Sequence, residues 1–224
     1  MSLNNGTYNA TLLLSNQTSQ ITQGFALSAY VGVNIVENGG FETGNFSRWG
    51  FAGNFDLRYV FDDVLSSFVF PGIVHSGNYG VFWGEVNSLA TLTQTLPTAN
   101  DQLYQLSFWL KNPASGSGQQ FIARWNGTNV LDLSSPPAFM WTNYQFLVTA
   151  SDTNTALQFA ARNDPSLFGF DDVAVTPVPP VVFSGVNFSG GNLSLAWNSL
   201  AGLKYEIQST ANLAQQLIQP VQCG

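Results

Sequence analysis

The sequence has little cysteine, little charge and no long apolar run, and each shortage excludes a class of protein. Its single cysteine, Cys223, rules out an intramolecular disulfide and a cysteine-based metal site. No apolar stretch approaches the roughly 20 residues that a membrane-spanning helix needs. Charged residues are only 8% of the chain, but a hydrophobic content of 45% is too high for a disordered protein. We therefore expect a folded domain with an uncharged polar surface.

Basic residues are the scarcest charged group, and this bears on the choice of partner. Lys and Arg number six against 13 Asp and Glu, which gives a formal net charge of −7. A nucleic-acid interface needs basic side chains that displace counterions from phosphates, and an anionic membrane surface makes a similar demand. We therefore expect no nucleic-acid and no membrane partner, and the composition favours neutral ligands or cations.

Helix signals are also nearly absent, and strand signals replace them. Apolar and polar residues alternate along the chain, and clusters of Gly, Asn, Pro and Ser interrupt the alternation. Turn signals at intervals of about 8–14 residues are typical of a β-sandwich or barrel. The clearest is Asn126-Gly127, since this dipeptide supplies the positive φ angles of a type I′ hairpin turn.

The two ends differ from the middle. Residues Thr7–Leu14 and Ile21–Val33 predict a hairpin around Asn16–Ser19. Pro177–Pro180 predicts a linker, because proline cannot donate to a strand ladder. Three further strands are predicted after the linker: Val181–Phe183, Asn192–Trp197 and Lys204–Gln208.

Five short motifs in the middle carry a resemblance to a known family. The motifs are Asn38–Gly44 (NGGFETG), His75–Tyr79 (HSGNY), Leu92–Leu96 (LTQTL), Tyr104–Leu110 (YQLSFWL) and Phe170–Val173 (FDDV). In this order they resemble the family-4/9 type of carbohydrate-binding module, which belongs to the galactose-binding-like jelly rolls. The resemblance implies an all-β fold, an antiparallel β-sandwich of jelly-roll type, which binds polysaccharide or oligosaccharide without catalysis.

The flanks resemble pieces of other domains. The segment from Gly6–Thr11 through Thr22 is similar to the last hairpin of a bacterial immunoglobulin-like repeat. Leu193–Trp197 with Gly202–Gln208 is similar to the opening of a fibronectin-type-III-like domain. We therefore expect a segment of a longer secreted or cell-surface bacterial protein with neighbouring domains, whose export signal lies outside this chain. The predicted domains are 1–34 (partial immunoglobulin-like hairpin), 35–178 (jelly-roll module) and 179–224 (linker and partial fibronectin-like segment).

The resemblance also implies one structural calcium ion, with side-chain oxygens from Glu42 and Asp171. Strand alternation gives a second reason, since it places Asp171 on the inward face with Val173, where an unpaired carboxylate is costly. Ser76 and Asn78 are expected to add oxygen ligands. The alternative is that Glu42 caps backbone N–H groups and Asp171 lies exposed at a strand end.

A sugar site needs an aromatic face beside amide or charged side chains. Alternation around Phe108 directs Trp109 outward, and alternation around Phe159 directs Gln158 outward. Residues 120–125 allow two assignments, of which the one with the better core leaves Arg124 outside. The predicted ligand-binding residues, expected on one sheet face, are Trp109, Arg124, Gln158, Arg162 and Trp83. A flanking segment covering Trp109, or plain stacking of Arg on Trp, is the alternative.

Two further hypotheses remain beside glycan binding. The first is a structural or adhesive spacer of a cell-surface protein with no small ligand. The second, less favoured, is a glycan hydrolase, which would need two carboxylates about 5–10 Å apart, and no pair stands out. His75 is the sole histidine and falls in a motif of a non-catalytic family, so a serine triad is not expected. The aromatic stretch Phe55–Ile73 is interpreted as packing on the core, or else as a functional loop.

Overall fold

A computed structural model describes residues 6–15, 22–54, 57–62, 72, 74–164, 166–189 and 192–199. These residues form strands, turns and loops, and none of them is helical. The strands are β1 Gly6–Ser15, β2 Thr22–Val31, β3 Gly50–Ala52, β4 Arg58–Asp62, β5 Tyr79–Trp83, β6 Ala90–Pro97, β7 Leu103–Asn112, β8 Gln120–Trp125, β9 Thr128–Ser134, β10 Phe139–Thr149, β11 Asn154–Arg162, β12 Phe168–Pro177, β13 Phe183–Ser189 and β14 Asn192–Trp197. Consequently no long apolar helix capable of crossing a bilayer occurs in these ranges.

Two five-stranded sheets make up the middle of the chain. Sheet I has the order β10-β7-β12-β5-β4, and sheet II has the order β3-β6-β11-β8-β9. Neighbouring strands within both sheets are antiparallel. The prediction of an all-β antiparallel sandwich is confirmed.

The core lies between the two sheets and is built by strand alternation. Along β7, buried residues alternate with half-buried ones, and Phe108 is fully buried. Its ring meets Phe159 of β11 edge-on at 5.1 Å between centroids, and Phe159 lies 4.8 Å from Phe170 of β12. Aromatic contacts across the interface therefore join the two sheets, and such pairs add to the gain from burial alone.

The hairpin between β8 and β9 has the predicted turn. Asn126 has a φ of 47° and Gly127 a φ of 84°, and Trp125 pairs with Thr128. Two successive positive φ angles define the type I′ geometry that Asn-Gly favours. This turn sets the register of the hairpin and so decides which residue of β9 lies beside Arg124.

Strand β12 contains a bulge that changes the direction of Asp171. The register with β7 shifts between Asp171 and Ala174, and Asp172 has a φ of 51°. The extra residue interrupts the alternation, so Phe170 and Val173 both face the core although they are three positions apart. Asp171 is paired with Trp109 and shares its outer face of sheet I. The prediction that Asp171 faces inward is wrong because the extra residue of the bulge shifts the in–out alternation of β12 by one position.

Contacts divide the chain into two units, Asn34–Pro177 and the pair of end segments Met1–Val33 and Val178–Gly224. In the end segments, β1 pairs with β2 and β13 pairs with β14, both antiparallel. The predicted first hairpin is thereby confirmed in its strands. Its turn at Asn16–Ser19, the strand Lys204–Gln208, Cys223 and most of the stretch 55–73 lie outside the described residues.

Candidate functional site

The sandwich divides the five predicted ligand-binding residues among three places. Trp109 lies on the outer face of sheet I, where it pairs with Asp171. Arg124, Gln158 and Arg162 lie on the outer face of sheet II. The prediction that all of them line one sheet face is wrong, because alternation assigns a side chain to a face of its strand but not the strand to a sheet.

Trp83 is not on an outer face. It pairs with the core residue Phe168, its neighbour Val81 pairs with Phe170, and Trp83 is fully buried. Phe82 takes the outward position instead, opposite Gly169. The alternation along β5 is as expected, but its direction is reversed, so the prediction that Trp83 points outward is wrong.

A line of polar side chains crosses sheet II. Thr93 of β6, Gln158 of β11, Arg124 of β8 and Asn129 of β9 occupy consecutive paired positions. The Gln158 amide donates to Thr93 Oγ1 at 3.3 Å, while Arg124 donates from Nη1 to Gln158 Oε1 at 2.7 Å and from Nε to Asn129 Oδ1 at 2.9 Å. We call these four residues the polar row. Each member fixes the next, so the row is held in one arrangement before any ligand arrives.

One side of the polar row is bordered by an apolar strip and an acid. Ile122 pairs with Ala160 and Asp132, and both apolar residues are buried although they face outward. Asp132 accepts from the Gln120 amide at 3.0 Å, from the Asn129 amide at 3.3 Å and from the Ser134 hydroxyl at 3.4 Å. The negative charge is thus solvated by neutral donors.

Arg162 lies on the same face but its charge is neutralised. Its Nε and Nη2 atoms each lie 2.8 Å from Oδ2 of Asp164, which also accepts from the Asn87 backbone N–H at 3.2 Å. The other oxygen, Asp164 Oδ1, is buried and has no hydrogen-bond partner among the described residues. The guanidinium of Arg162 is therefore occupied by Asp164, so Arg162 is a weaker candidate than Arg124 for binding a ligand.

No aromatic side chain occupies an outward position among the paired residues of sheet II. The aromatic rings are concentrated on sheet I. There the imidazole of His75 stacks on Trp109 with ring centroids 3.8 Å apart and planes 19° from parallel, and Trp141 meets the imidazole edge-on at 5.5 Å. One ring face of Trp109 is therefore covered by a residue of the same unit.

The turn that carries His75 is tied down by two carboxylates. Glu42 accepts from the backbone N–H groups of Asn78, at 3.0 Å, and Tyr79, at 3.1 Å. Asp171 Oδ2 accepts from the N–H groups of His75 at 3.0 Å and Ser76 at 3.4 Å. The capping role that was the alternative for Glu42 is observed, whereas the exposed position that was the alternative for Asp171 is not, since Asp171 is fully buried.

A second acid completes this cluster. Asp172 lies 2.6 Å from Nδ1 of His75 through Oδ2, and its Oδ1 accepts from the Ser76 hydroxyl at 2.9 Å. Burial, and then the charge of Asp172, raise the pKa of Asp171 to about 7, although three backbone N–H bonds act in the opposite direction. The cluster thus contains a buried carboxyl group that titrates near neutrality.

The four predicted calcium ligands meet at this turn, and their fit to calcium is mixed. Glu42 and Asp171 both direct carboxylates at the turn His75–Tyr79, but the turn atoms that they contact are N–H donors. The side-chain amide of Asn78 likewise donates to Glu42, at 3.2 Å. Ser76 presents a hydroxyl oxygen. Within the described ranges, no group of three or more His, Cys, Asp or Glu is arranged to hold a metal. Calcium here stays a prediction.

Two members of the polar row, Thr93 and Asn129, were not among the predicted site residues. A signal for Asn129 exists in the sequence, since a two-residue Asn-Gly turn fixes Trp125 opposite Thr128 and places Asn129 beside Arg124. No comparable local signal points to Thr93, because its pairing with Gln158 joins residues 65 positions apart.

Comparisons with known proteins bear on the fold of the middle unit. No protein-family model and no curated protein matches this sequence. Among solved structures, a carbohydrate-binding module, TmCBM61 in complex with β-1,4-galactotriose, is similar with a TM-score of 0.52 at 22% identity, covering 65% of this chain and 99% of the module. At this identity the likeness shows the β-sandwich fold.

Two further similar structures have TM-scores below 0.5. The CBM22-1 xylan-binding domain of Xyn10C from Paenibacillus barcinonensis matches with a TM-score of 0.46 at 13% identity, over 68% of this chain and 99% of that domain. The enzymatically active domain of tailspike protein 4 from bacteriophage CBA120 matches with a TM-score of 0.48 at 18% identity, over 65% of this chain and 21% of that protein. A likeness in fold does not fix function, which has to be argued from the site.

Proposed function

We propose that the unit Asn34–Pro177 is a non-catalytic carbohydrate-binding module of a secreted or cell-surface protein, and that its glycan lies across the polar row of sheet II. The single observation that carries the proposal is the chain of hydrogen bonds Thr93–Gln158–Arg124–Asn129 across four strands. The likeness in fold to a module that was solved with a galactotriose supports it.

The chemistry of the row suits sugar hydroxyl groups. Amides offer both donors and an acceptor, a hydroxyl offers both, and a guanidinium offers five N–H donors, so the row can serve hydroxyls in either role. Because the side chains already hold one another, a ligand loses little affinity to their ordering. The outward neighbours Ile122 and Ala160 are only 3% and 1% exposed, so contacts with a sugar would come from the polar side chains of the row itself.

Affinity electrophoresis against a panel of polysaccharides tests the proposal. Arg124→Ala and Gln158→Ala remove the centre of the row, and we expect either variant to lose retention by the glycan that retards the wild-type chain. Gln145→Ala is the matched control, since Gln145 takes part in a similar amide pair on sheet I, with Gln105 at 3.2 Å. Retention that survives both sheet II variants would place binding elsewhere, and no retention by any glycan would favour a spacer.

A structural calcium ion is the second part of the proposal, with Glu42, Asp171, Ser76 and Asn78 as the residues that would hold it. Its support is the buried Asp171 beside Asp172, because no Lys or Arg forms an ion pair with either acid among the described residues. A divalent cation would offset this repulsion. Isothermal titration with calcium measures binding directly. We expect binding in the wild-type chain, loss in Asp171→Asn and no change in Asp132→Asn.

A further inference from the structure

We propose that the ligand of the polar row is an acidic glycan, and that a uronate carboxylate pairs with Arg124. This inference rests on the proposed function and adds to it the chemical class of the ligand. The overall charge of the chain favours neutral ligands, so the inference depends on the surroundings of this one guanidinium.

The positive charge of Arg124 has no negative partner in the described part of the chain. Its contacts are the neutral oxygens of Gln158 and Asn129. The acid nearest along the sheet, Asp132, is bonded to Gln120, Asn129 and Ser134 but not to Arg124. A half-buried cation left without a counter-charge is costly, and a ligand carboxylate would relieve that cost.

Two other arginines of the same unit are paired with acids. Arg48 is paired with Glu37 at 2.8 Å, and Arg162 with Asp164 at 2.8 Å. The chain has 13 acidic residues for six basic ones, so the lack of a carboxylate beside Arg124 does not come from a shortage of acids. The use of two amide oxygens instead keeps the charge available while it fixes the position of the side chain.

The geometry of the guanidinium matches a carboxylate. Two of its five N–H groups are used, from Nε and Nη1, and Nη2 makes no hydrogen bond within the described ranges. Nη2 together with the second N–H of Nη1 forms the planar fork that binds both oxygens of a carboxylate. The fork is held from two sides, so pairing requires little further ordering.

The net charge of −7 does not prevent this pairing. At physiological ionic strength, exposed charges are screened beyond about 8 Å, so distant acids weaken an approaching polyanion little. Asp132 is the acid close to the site, and its oxygens are occupied by three donors. A partly buried pair at Arg124 is screened less than the surrounding surface charges.

The first experiment compares polygalacturonate with its carboxyl-reduced form, which has the same backbone without the charges, by affinity electrophoresis of the full chain. We expect the acidic polymer to be retained more strongly by about tenfold or more in apparent affinity. Equal retention of both polymers would overturn the acidic class and leave the proposed function standing. Retention of neutral glycans alone would also overturn it. Failure of every glycan in the panel would overturn both proposals.

The second experiment supplies Arg124 with an internal partner. Gln158→Glu places a carboxylate where the amide oxygen now lies 2.7 Å from Nη1, so the variant should keep its fold and lose at least about tenfold in affinity for polygalacturonate. Gln145→Glu adds the same charge on sheet I and is the control, with thermal melting of both variants as the check on folding. An equal effect of the two variants would mean general repulsion and would overturn the inference.

Discussion

The outer faces of the two sheets arise from the same strand alternation, but they differ in whether a turn of the chain covers their outward side chains. On sheet I, the outward residues Trp109 and Asp171 are covered by the turn at His75–Tyr79 and take part in its hydrogen bonds and stacking. On sheet II, the outward residues Arg124 and Gln158 bond to one another and are half-buried. The comparison teaches that the sequence pattern identifies which side chains point outward from a strand. The loops that cross the sheet then decide whether those side chains take part in packing or are available to a ligand.

The largest expected effect concerns the turn that covers sheet I. A Cβ added to Gly77, whose φ is +73°, would lie 2.2 Å from Oε1 of Glu42, whereas a Cβ at Gly127, with a φ of +84°, would meet nothing within 4 Å. Both Gly→Ala changes cost about 1 kcal/mol in backbone strain. Gly77→Ala additionally displaces Glu42, so we expect a total of about 3 kcal/mol.

Urea unfolding of the two glycine variants measures this difference. Equal destabilisation by Gly77→Ala and Gly127→Ala would mean that the hydrogen bonds between Glu42 and the turn do not stabilise the fold. The turn over sheet I would then not be the structural element that we describe.

The next effect is a dependence of stability on pH that belongs to sheet I alone. The pKa of Asp171 is raised from 3.8 to about 7, so the folded state keeps a proton that the unfolded state releases. The contribution of this group is therefore fully present below about pH 4 and lost as pH rises to about 7, by on the order of a few kcal/mol.

Asp171→Asn isolates this contribution, since other carboxyl groups add their own slopes. Chemical unfolding between pH 4 and 8 in EDTA should show a smaller fall of stability with pH in Asp171→Asn than in the wild-type chain, and no such change in Asp132→Asn on sheet II. A wild-type profile that matches the Asp171→Asn profile would refute the raised pKa. Calcium that restores wild-type stability at pH 7 would support the ion site.

A smaller effect separates the two interactions of His75. His75→Ala removes both its stacking on Trp109 and its bond to Asp172, while His75→Phe keeps an aromatic ring and removes only the bond. We expect about 1–2 kcal/mol of destabilisation for the first change and about half of that for the second. Thermal melting checks the result, and equal losses would show that stacking contributes little.

The smallest effect on stability is expected on sheet II. Gln158→Ala removes two surface hydrogen bonds, with Arg124 and Thr93, and should cost about 1 kcal/mol or less. The same change should abolish glycan retention under the proposed function. A large loss of stability would show that the polar row is structural and would remove the contrast with sheet I.

Local patterning predicted much of this protein. Alternation around Phe108 and Phe159 identified the core sides of β7 and β11, and Asn126-Gly127 identified the turn between β8 and β9. The outward direction of Trp109 and Gln158 followed from the same rule, and that of Arg124 from the choice of the better core between two alternations. These predictions succeeded because the period of a strand and the φ angles of a turn are properties of neighbouring residues.

Other features could not be obtained in that way. Trp83 lies in the core because Val81 pairs with Phe170, and Asp171 lies under a turn because of a bulge opposite β7. His75 reaches Trp109 across 34 positions of sequence. Each of these depends on register or on contacts between distant segments, which alternation within one strand does not encode.

The sequence by itself determined that the middle of the chain forms antiparallel strands around an aromatic core, since side-chain periodicity and turn chemistry act between neighbours. Only the tertiary structure decided that Trp109 and Arg124 lie on opposite sheets, that a buried carboxyl group sits beneath the turn at His75, and that Arg124 is held by two amides. The physical reason is that long-range strand pairing brings these groups together, and the free energy that selects the pairing is that of the whole core.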